Sequence, residues 1–396
     1  MACQPGTVTP LESWITPAEH QRGGYADTVR EIGHQPATWE QTADDAIARA
    51  GELRSFLLRD DQASPRSIVL TGSGSSLYVA DCLAPSLQAR LRVVARSVPA
   101  AMLLTDVQGC LEASEPALLV SFARSGDSPE STAVLDLVLE RFPACRHLTI
   151  TCNRSGRLAT AYADDPRVMT IVLDPRTNDR SLVMTSSFTN MLVAGQLLGS
   201  LDDIGGYARS VERLAMIARD LLAHHTGELA RIARLPFRSA CFLGTGARLG
   251  AAREGALKML EMSAGEVGTL AETPLGLRHG PMAAVRDDTL VVVGIPASPL
   301  ARGYAIDVLH EIRLKRPYAR LALVGDMVPD GLTTDGDAVI GLPSLADVDE
   351  CGAAVIDVVV GQILALFRCL AGGLRPDGPS PDGIINRVVP EFRIYR

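Results

Sequence analysis

One predicted helix carries a lysine between two glutamates. The segment reads Glu254-Gly-Ala-Leu-Lys258-Met-Leu-Glu261, and Lys258 is one of only two lysines among 38 basic residues. Spacings of four and then three residues put these side chains on one face of a helix. A carboxylate held beside an ammonium group stays ionised and can accept and return a proton. The spacing therefore predicts proton-transfer chemistry on this helix, with a solvated surface ion pair as the alternative.

Two serine-rich loops are candidates for holding a phosphate group. They follow apolar, strand-like runs, and their candidate ligands are Ser73, Ser76, Ser121, Arg124, Ser125 and Ser128. Hydroxyl groups, backbone N–H groups at a helix start and an arginine suit a phosphate dianion. The first loop is not a dinucleotide site, because Leu77 stands where G-x-G-x-x-G needs its third glycine. An ordinary strand-to-helix turn and a well-capped helix are the alternative interpretations of the two loops.

Two further candidates have weaker signals. Ser187 lies in Met184-Thr-Ser-Ser-Phe-Thr189 before an apolar helix, so it either caps that helix or adds a donor to the phosphate pocket. His279 lies in Leu275-Gly-Leu-Arg-His-Gly-Pro281, a stiff loop with glycines on both sides. A single loop histidine is more often structural, so its interest depends on the neighbouring Lys258 helix. No clustered ligands at defined spacing predict a metal site.

Composition and charge limit the class of protein. The chain has 396 residues, is 47% hydrophobic and 21% charged, and has a net charge of −8. This length favours two domains, and the lack of a basic block argues against nucleic acid or a membrane as a partner. Eight cysteines without a CxxC pair, and no apolar signal sequence, predict a reduced cytoplasmic protein. The apolar stretch 352–371 contains charged residues and predicts a buried helix instead of a membrane span.

The first half of the chain is echoed in the second. Three features recur: a Gly-x-Gly turn after an apolar run, an apolar run that leads to a serine, and an apolar run that begins with arginine. The separations between the two copies are 172, 173 and 174 residues. In each half, continuous apolar runs alternate with helical patterns, which is typical of a parallel sheet covered on both faces. We predict an α/β protein with two tandem, doubly wound, flavodoxin-like parallel sheets. Ligands in such folds bind beyond the carboxyl ends of the strands.

The predicted organisation has four parts. They are an N-terminal helical arm over 1–45, a first domain over 46–210, a second domain over 211–375 and a C-terminal tail over 376–396. Thr16-Pro17-Ala-Glu19 predicts the start of a helix in the arm, with Thr16 as its N-cap.

These motifs together resemble the sugar isomerase (SIS) domain family, specifically its two-domain members. They are most similar to the galactosamine-6-phosphate deaminase/isomerase group, historically called tagatose-6-phosphate ketose/aldose isomerases. Besides the residues above, the matching motifs are Ser121-Phe-Ala-Arg-Ser-Gly-Asp-Ser-Pro-Glu-Ser131, Thr151-Cys-Asn153, Ile385-Asn-Arg-Val-Val389 and Glu31-Ile-x-x-Gln35-Pro36-x-x-Trp39. The resemblance covers nearly the whole chain.

The resemblance implies roles for single residues. Ser73, Ser76, Arg124, Ser125 and Ser128 match positions that bind the phosphate and the sugar, and Ser121 and Ser187 complete our predicted set. Glu261 matches the carboxylate that shuttles the proton, and Lys258 matches the lysine one turn before it. His279 matches the ring-opening histidine, which in the family reaches across from a partner subunit. The expectation is therefore a homodimer with a shared active site, with a higher homo-oligomer left open, and no cofactor or metal.

The expected reaction is a deaminating isomerisation. A 2-amino-2-deoxy-hexose 6-phosphate, with galactosamine 6-phosphate favoured, would become a ketose 6-phosphate and ammonia through proton transfer from C2 to C1. The tail from Arg387 has no lysine, where the related glutamine-dependent synthase uses one, and a glutaminase domain is not expected, so ammonia channelling is not expected either. Two alternatives stay open: an aldose/ketose 6-phosphate isomerase without deamination, and a non-catalytic protein that senses sugar phosphates.

Overall fold

The chain begins with helices that pack onto the body of the molecule. The computed structural model describes residues 9–57, 65–112, 115–329, 331–390 and 393–395, so Cys3 and the start of the predicted arm lie outside the described residues. The first helices are α1 (Pro17–Arg22), α2 (Ala26–Gly33) and α3 (Gln35–Ala48). Thr16 caps α1 as predicted, because its hydroxyl accepts the Glu19 N–H at 3.3 Å and the Glu19 carboxylate accepts the Thr16 N–H at 2.8 Å.

The first sheet has five parallel strands in the order β2-β1-β3-β4-β5. The strands are β1 (Ser67–Gly72), β2 (Val94–Pro99), β3 (Ala117–Ala123), β4 (Arg146–Thr151) and β5 (Val168–Val172). The associated helices are α4 (Ala50–Leu57), α5 (Ser75–Leu91), α6 (Ala100–Thr105), α7 (Val107–Cys110), α8 (Pro129–Arg141), α9 (Arg157–Thr160) and α10 (Ser186–Gln196). Every residue of β3 and β4 is buried, as expected for central strands of a sheet covered on both faces.

Two helices lead from the first sheet to the second, α11 (Ile204–Asp220) and the shorter α12 (Thr226–Arg234), and a π-helical turn at Leu221–His225 joins them. The second sheet has strands β6 (Ser239–Leu243), β7 (Gly268–Glu272), β8 (Thr289–Gly294), β9 (Arg320–Gly325) and β10 (Ala338–Gly341). Its helices are α13 (Ala247–Met262), α14 (Pro274–Leu277), α15 (Pro299–Lys315) and α16 (Glu350–Ala371). Short 3₁₀ helices cover Glu12–Trp14, Pro175–Thr177, Leu197–Gly199, Pro281–Ala284 and Pro343–Asp347.

The second sheet repeats the topology of the first. Its five strands are parallel and lie in the order β10-β9-β8-β6-β7. In both sheets the strand that comes first in the chain lies between the strands that come second and third. This is the doubly wound order in which the carboxyl ends of the first and third strands form the binding crevice. The predicted fold class, two tandem doubly wound parallel sheets with a helical N-terminal region, is confirmed.

Helix α13 lies at the centre of the contact between the two halves, with α5 on one side and α16 on the other. Glycines allow both close approaches: a Cβ at Gly250 would lie 2.6 Å from the Cys82 nitrogen, and a Cβ at Gly361 would lie 3.0 Å from the Gly255 Cα. Residues of both halves belong to one apolar cluster. The domain boundaries predicted after residues 45, 210 and 375 stay predictions. The apolar core continues across the boundary after residue 210.

Helix α16 is the predicted apolar helix of the second half. Within the described residues it alone is long and apolar enough to cross a membrane by length and composition. However, 89% of its most apolar window is buried inside the molecule. It serves as a core helix against which α12 and α13 pack.

Candidate functional site

The loop after β1 turns sharply into α5. Gly74 has a φ of +56°, and a Cβ at Gly72 would lie 2.6 Å from the Ser76 carbonyl carbon, so the turn depends on glycine at both positions. Ser73 is exposed at the tip of the loop, whereas Ser75 and Ser76 are buried at the start of α5. Two kinds of hydroxyl, one exposed and two buried, are thus held at the same strand end.

The loop after β3 lies beside the loop after β1, because Thr71 and Ser121 are paired across the two strands. Ser121 is buried at the end of β3, and Ser125 and Ser128 are half-buried in the loop. Asn153, after β4, donates its amide to the Ser125 carbonyl at 2.8 Å. The predicted adjacency of the two serine loops at neighbouring strand ends is therefore present.

Hydrogen bonds shape the start of the helix after the second loop. The hydroxyls of Ser128 and Ser131 are 2.6 Å apart, and Asp127 accepts the backbone N–H of Arg157 at 2.9 Å. The Asp127 N–H donates to the Ser125 hydroxyl at 3.3 Å. These bonds fix the loop while the half-buried hydroxyls of Ser125 and Ser128 stay near its surface.

Arg124 is buried, and its guanidinium group is directed at backbone carbonyls. It donates to Ser181 at 3.3 Å, to Leu182 at 3.0 Å and to the carbonyl of Arg387 at 2.7 Å. Burial lowers the pKa of Arg124, and the charge of Asp179 opposes that effect. These bonds use three of the five N–H groups of a guanidinium, so Arg124 is in large part a structural strut.

Ser187 lies at the start of α10, where Asp179 accepts its backbone N–H at 2.9 Å and its hydroxyl at 2.6 Å. The same carboxylate accepts the N–H groups of Thr185 and Ser186 at 2.8 Å and 3.2 Å. An anion at a helix N-terminus is stabilised by the helix dipole. The protein's own carboxylate therefore fills this position, and the geometry gives no support to Ser187 as a phosphate ligand.

Lys258 is buried between two carboxylates of its own helix. Its Nζ lies 2.5 Å from Glu261 Oε2 and 3.4 Å from Glu254 Oε1. It also donates to the Ser75 hydroxyl at 3.1 Å, which joins α13 of the second half to the serine loop of the first. Lys258 and Glu254 are fully buried, whereas the Glu261 side chain is 23% exposed. The pair is thus a buried cluster with one accessible carboxylate, and the surface ion-pair alternative is excluded.

The charges of the cluster oppose the effect of burial. Burial lowers the pKa of Lys258, but the charges of Glu254 and Glu261 raise it above its ordinary value. Burial raises the pKa of Glu254 to about 7, although Lys258 opposes the rise. Lys258 therefore stays cationic, and burial makes Glu254 easier to protonate than an ordinary glutamate.

His279 lies in the exposed loop after α14. Its backbone N–H donates to the Gly276 carbonyl at 3.0 Å, and Gly280 next to it has a φ of +118°. Within the described residues no hydrogen bond or ion pair joins His279 to the Lys258 cluster. One chain therefore joins Lys258 to Glu261 and to the first serine loop, and no such bond joins His279 to them.

Sequence reasoning assigned no role in the site to three residues of this region. Ser75, which contacts Lys258, was passed over between Ser73 and Ser76, although it is the first residue of α5. Glu254 was seen only as part of the helix pattern, and its complete burial could not be read from the spacing. Arg387 was noticed only within a tail motif, yet its carbonyl binds Arg124. Among the described residues, no group of three or more His, Cys, Asp or Glu side chains could hold a metal ion.

No protein-family model matches the chain. A Streptomyces coelicolor protein provisionally named D-galactosamine-6-phosphate deaminase AgaS is 40% identical over 363 residues, covering 91% of this chain and 93% of its own. The Escherichia coli D-galactosamine-6-phosphate deaminase AgaS is 34% identical, covering 94% and 96%. A Clostridium novyi crystal structure, provisionally named tagatose-6-phosphate ketose/aldose isomerase, superimposes with a TM-score of 0.90 at 30% identity, covering 99% and 100%.

Proposed function

Since the chain belongs to the AgaS family of D-galactosamine-6-phosphate deaminases, we propose that it is a deaminating isomerase of a 2-amino-2-deoxy-hexose 6-phosphate, with galactosamine 6-phosphate as the favoured substrate. The observation that carries the proposal is the position of Lys258, which contacts Glu261 and the first serine loop at once. A proton-transfer pair and hydroxyl donors for an anion therefore lie next to each other, as a sugar phosphate needs.

In the proposed site, the phosphate group is held by Ser73, Ser76, Ser121, Ser125 and Ser128, with Arg124 behind them. The phosphate lies far from the reacting carbons, so its binding energy serves to position them. The loop after β3 lies beside the loop after β1, which Lys258 of α13 contacts through Ser75, and this supports placing the phosphate and the proton-transfer pair in one site.

The proposed chemistry is a proton shuttle on an open-chain aldehyde. Glu261 removes the proton from C2, the electrons move onto O1, and Lys258 stabilises the negative charge that develops there. Glu261 then returns the proton to C1 of the enolamine as the nitrogen electrons form the C=N bond at C2. A proton passes from the nitrogen to O1, which leaves a neutral ketimine at C2 and a hydroxyl at C1. Addition of water and loss of ammonia give the ketose 6-phosphate. The partly exposed position of Glu261 suits this role, whereas Glu254 is fully buried beside Lys258.

The ring-opening step is assigned to His279 of a second copy of the chain. A homodimer with a shared site is part of the proposal, because His279 is exposed and, among the described residues, makes no hydrogen bond or ion pair with the Lys258 cluster of its own chain. A cytoplasmic location is part of the same proposal, and the seven cysteines among the described residues are all free thiols in keeping with it.

Glu261→Gln tests the proposal. The amide keeps the shape of the side chain but cannot accept the C2 proton, so ammonia release from galactosamine 6-phosphate should fall by about 10²–10⁴-fold. Glu266→Gln, in the exposed loop that follows α13, is the matched control and should keep the wild-type rate. Turnover that survives in Glu261→Gln would remove the enzymatic assignment of this helix.

A second candidate function, isomerisation without deamination, is favoured by the name of the Clostridium novyi structure. The two are separated by measuring ammonia from galactosamine and glucosamine 6-phosphates beside the isomerisation of tagatose 6-phosphate. Ammonia release at a rate above that of tagatose 6-phosphate isomerisation supports the deaminase, and the reverse ranking supports the plain isomerase.

A further inference from the structure

Arg387 in the C-terminal tail is tied into the segment that precedes α10. Its Nε donates to the Asp179 carbonyl at 2.7 Å, and its Nη2 donates to the Asn178 side-chain oxygen at 2.6 Å. Its own carbonyl accepts the Nη2 of Arg124 at 2.7 Å. Arg387 therefore links the segment before α10, through Asn178 and Asp179, to Arg124 in the loop after β3.

The segment 178–187 is held from several directions. Arg124, which also binds the Arg387 carbonyl, donates to the carbonyls of Ser181 and Leu182. Glu31 of α2 accepts the backbone N–H of Arg180 at 2.6 Å and also binds Ser181. The side chain of Asp179 caps α10. Arg387 of the tail thus adds hydrogen bonds to a segment that the N-terminal helices and α10 also hold.

The position of Arg124 depends on these hydrogen bonds. Burial works against its charge, and Arg387 adds a second positive charge close by, so the guanidinium needs its three carbonyl acceptors in place. One of those acceptors is supplied by the tail. Without it, Arg124 has a free Nη2 donor and a choice of rotamers in the loop that carries the predicted phosphate ligands.

We propose that Arg387 is a positioning residue: it anchors the tail so that its carbonyl fixes Arg124 in the phosphate loop of the substrate site. This inference rests on the proposed function, because it takes the loop after β3 as the phosphate subsite. The effect of Arg387 is on binding of the phosphorylated sugar and passes through Arg124, while the proton shuttle of Lys258 and Glu261 is untouched.

The test compares Arg387→Gln with Asn386→Ala, an exposed neighbour in the same tail. KM for galactosamine 6-phosphate should rise by about tenfold in Arg387→Gln with kcat changed by less than about threefold, and stay at the wild-type value in Asn386→Ala. Because Arg387 acts through Arg124, the double variant Arg124→Gln/Arg387→Gln should have the same KM as Arg124→Gln alone. Multiplied KM effects in the double variant, or an unchanged KM in Arg387→Gln, overturn the inference.

Two further measurements keep the outcome interpretable. If Arg387→Gln does not fold, Asn178→Ala can replace it. This variant removes one hydrogen-bond acceptor of Arg387 without substituting a tail residue, and it should also raise KM. Calorimetric titration of galactosamine 6-phosphate into Glu261→Gln, with and without Arg387→Gln, measures binding without turnover. Tight binding that Arg387→Gln leaves unchanged rejects only the role of Arg387, whereas absence of binding to Glu261→Gln and of turnover by the wild type rejects the proposed function as well.

Discussion

The carboxyl ends of the two sheets have the same backbone turn and different side chains. Gly74 and Gly246 have nearly identical dihedral angles, φ +56° and ψ −129° against φ +59° and ψ −128°. Two residues later the first half has Ser76 and the second half has Arg248. The same strand order and the same turn therefore lead to one strand end lined by hydroxyls and another that contains a buried cation.

In the second half this cation is paired within the protein. Arg248 binds Asp357 of α16 through two bonds, of 2.6 Å and 2.8 Å, and donates to the Ile295 carbonyl at 2.6 Å. Glu350 accepts the backbone N–H of Ala297 at 3.1 Å, in the loop after β8. Internal carboxylates thus occupy the donors that a phosphate would need, and the second strand end is a structural junction. A Gly-x-Gly turn alone does not make a binding site; the side chains that follow it decide.

The largest effect is expected where the two halves meet, at Lys258. Lys258→Met keeps most of the volume but leaves Glu254 and Glu261 without a cation, so kcat should fall by about 10²–10³-fold. The free energy of unfolding should fall by about 3 kcal/mol, because a buried pair loses one partner. Ammonia release and urea unfolding measure the two effects, and a kcat within about threefold of the wild type would make Lys258 as purely structural as Arg248.

The counterpart of this variant in the second half is Arg248→Met, which leaves Asp357 buried without its cation. Stability should fall by a similar 3–5 kcal/mol or so, whereas kcat of the folded protein should stay within about twofold. Replacing Asp357 with Leu in the same protein should recover most of the loss. A large loss of kcat in the double variant would contradict the division into a functional and a structural strand end.

The next effect concerns Glu254 and the pH dependence of stability. Its pKa is raised from an ordinary 4.5 to about 7, so folding is favoured while it is protonated and that contribution is lost as the pH rises from 4.5 through 7. The stability of the wild type relative to Glu254→Gln should therefore fall across this window, by on the order of 3 kcal/mol. Urea unfolding at pH 5 and pH 8 checks the sign, and a difference that is flat with pH would show that Glu254 stays ionised.

The sequence correctly predicts the two sheets and the shared helix face of the Lys258 cluster. Apolar runs and turns predicted two parallel sheets, because such signals are repeated at every strand. The spacing of Glu254, Lys258 and Glu261 predicted a shared helix face for the same reason. Both predictions depend only on residues that are close in sequence.

The contacts between distant segments could not be read in the same way. Ser75 and Lys258 are 183 residues apart, and Arg248 and Asp357 are 109 apart. Arg124 has the residue type of a phosphate ligand, but its bonds to the carbonyls of 181, 182 and 387 depend on how the tail and the segment before α10 pack. Residue type predicted where a charge lies, and tertiary packing decided what it binds.

The smallest effect is expected at the tips of the two turns, where Ser73 and Thr245 occupy equivalent positions. Ser73→Ala removes one exposed hydroxyl donor, so KM for the sugar phosphate should rise about three- to tenfold while stability changes by less than about 0.5 kcal/mol. Thr245→Ala removes a hydroxyl from the same backbone turn at the strand end that internal carboxylates fill, and should leave KM unchanged. Equal KM effects of the two variants would mean that both strand ends contact substrate, which the buried pairing of Arg248 with Asp357 argues against.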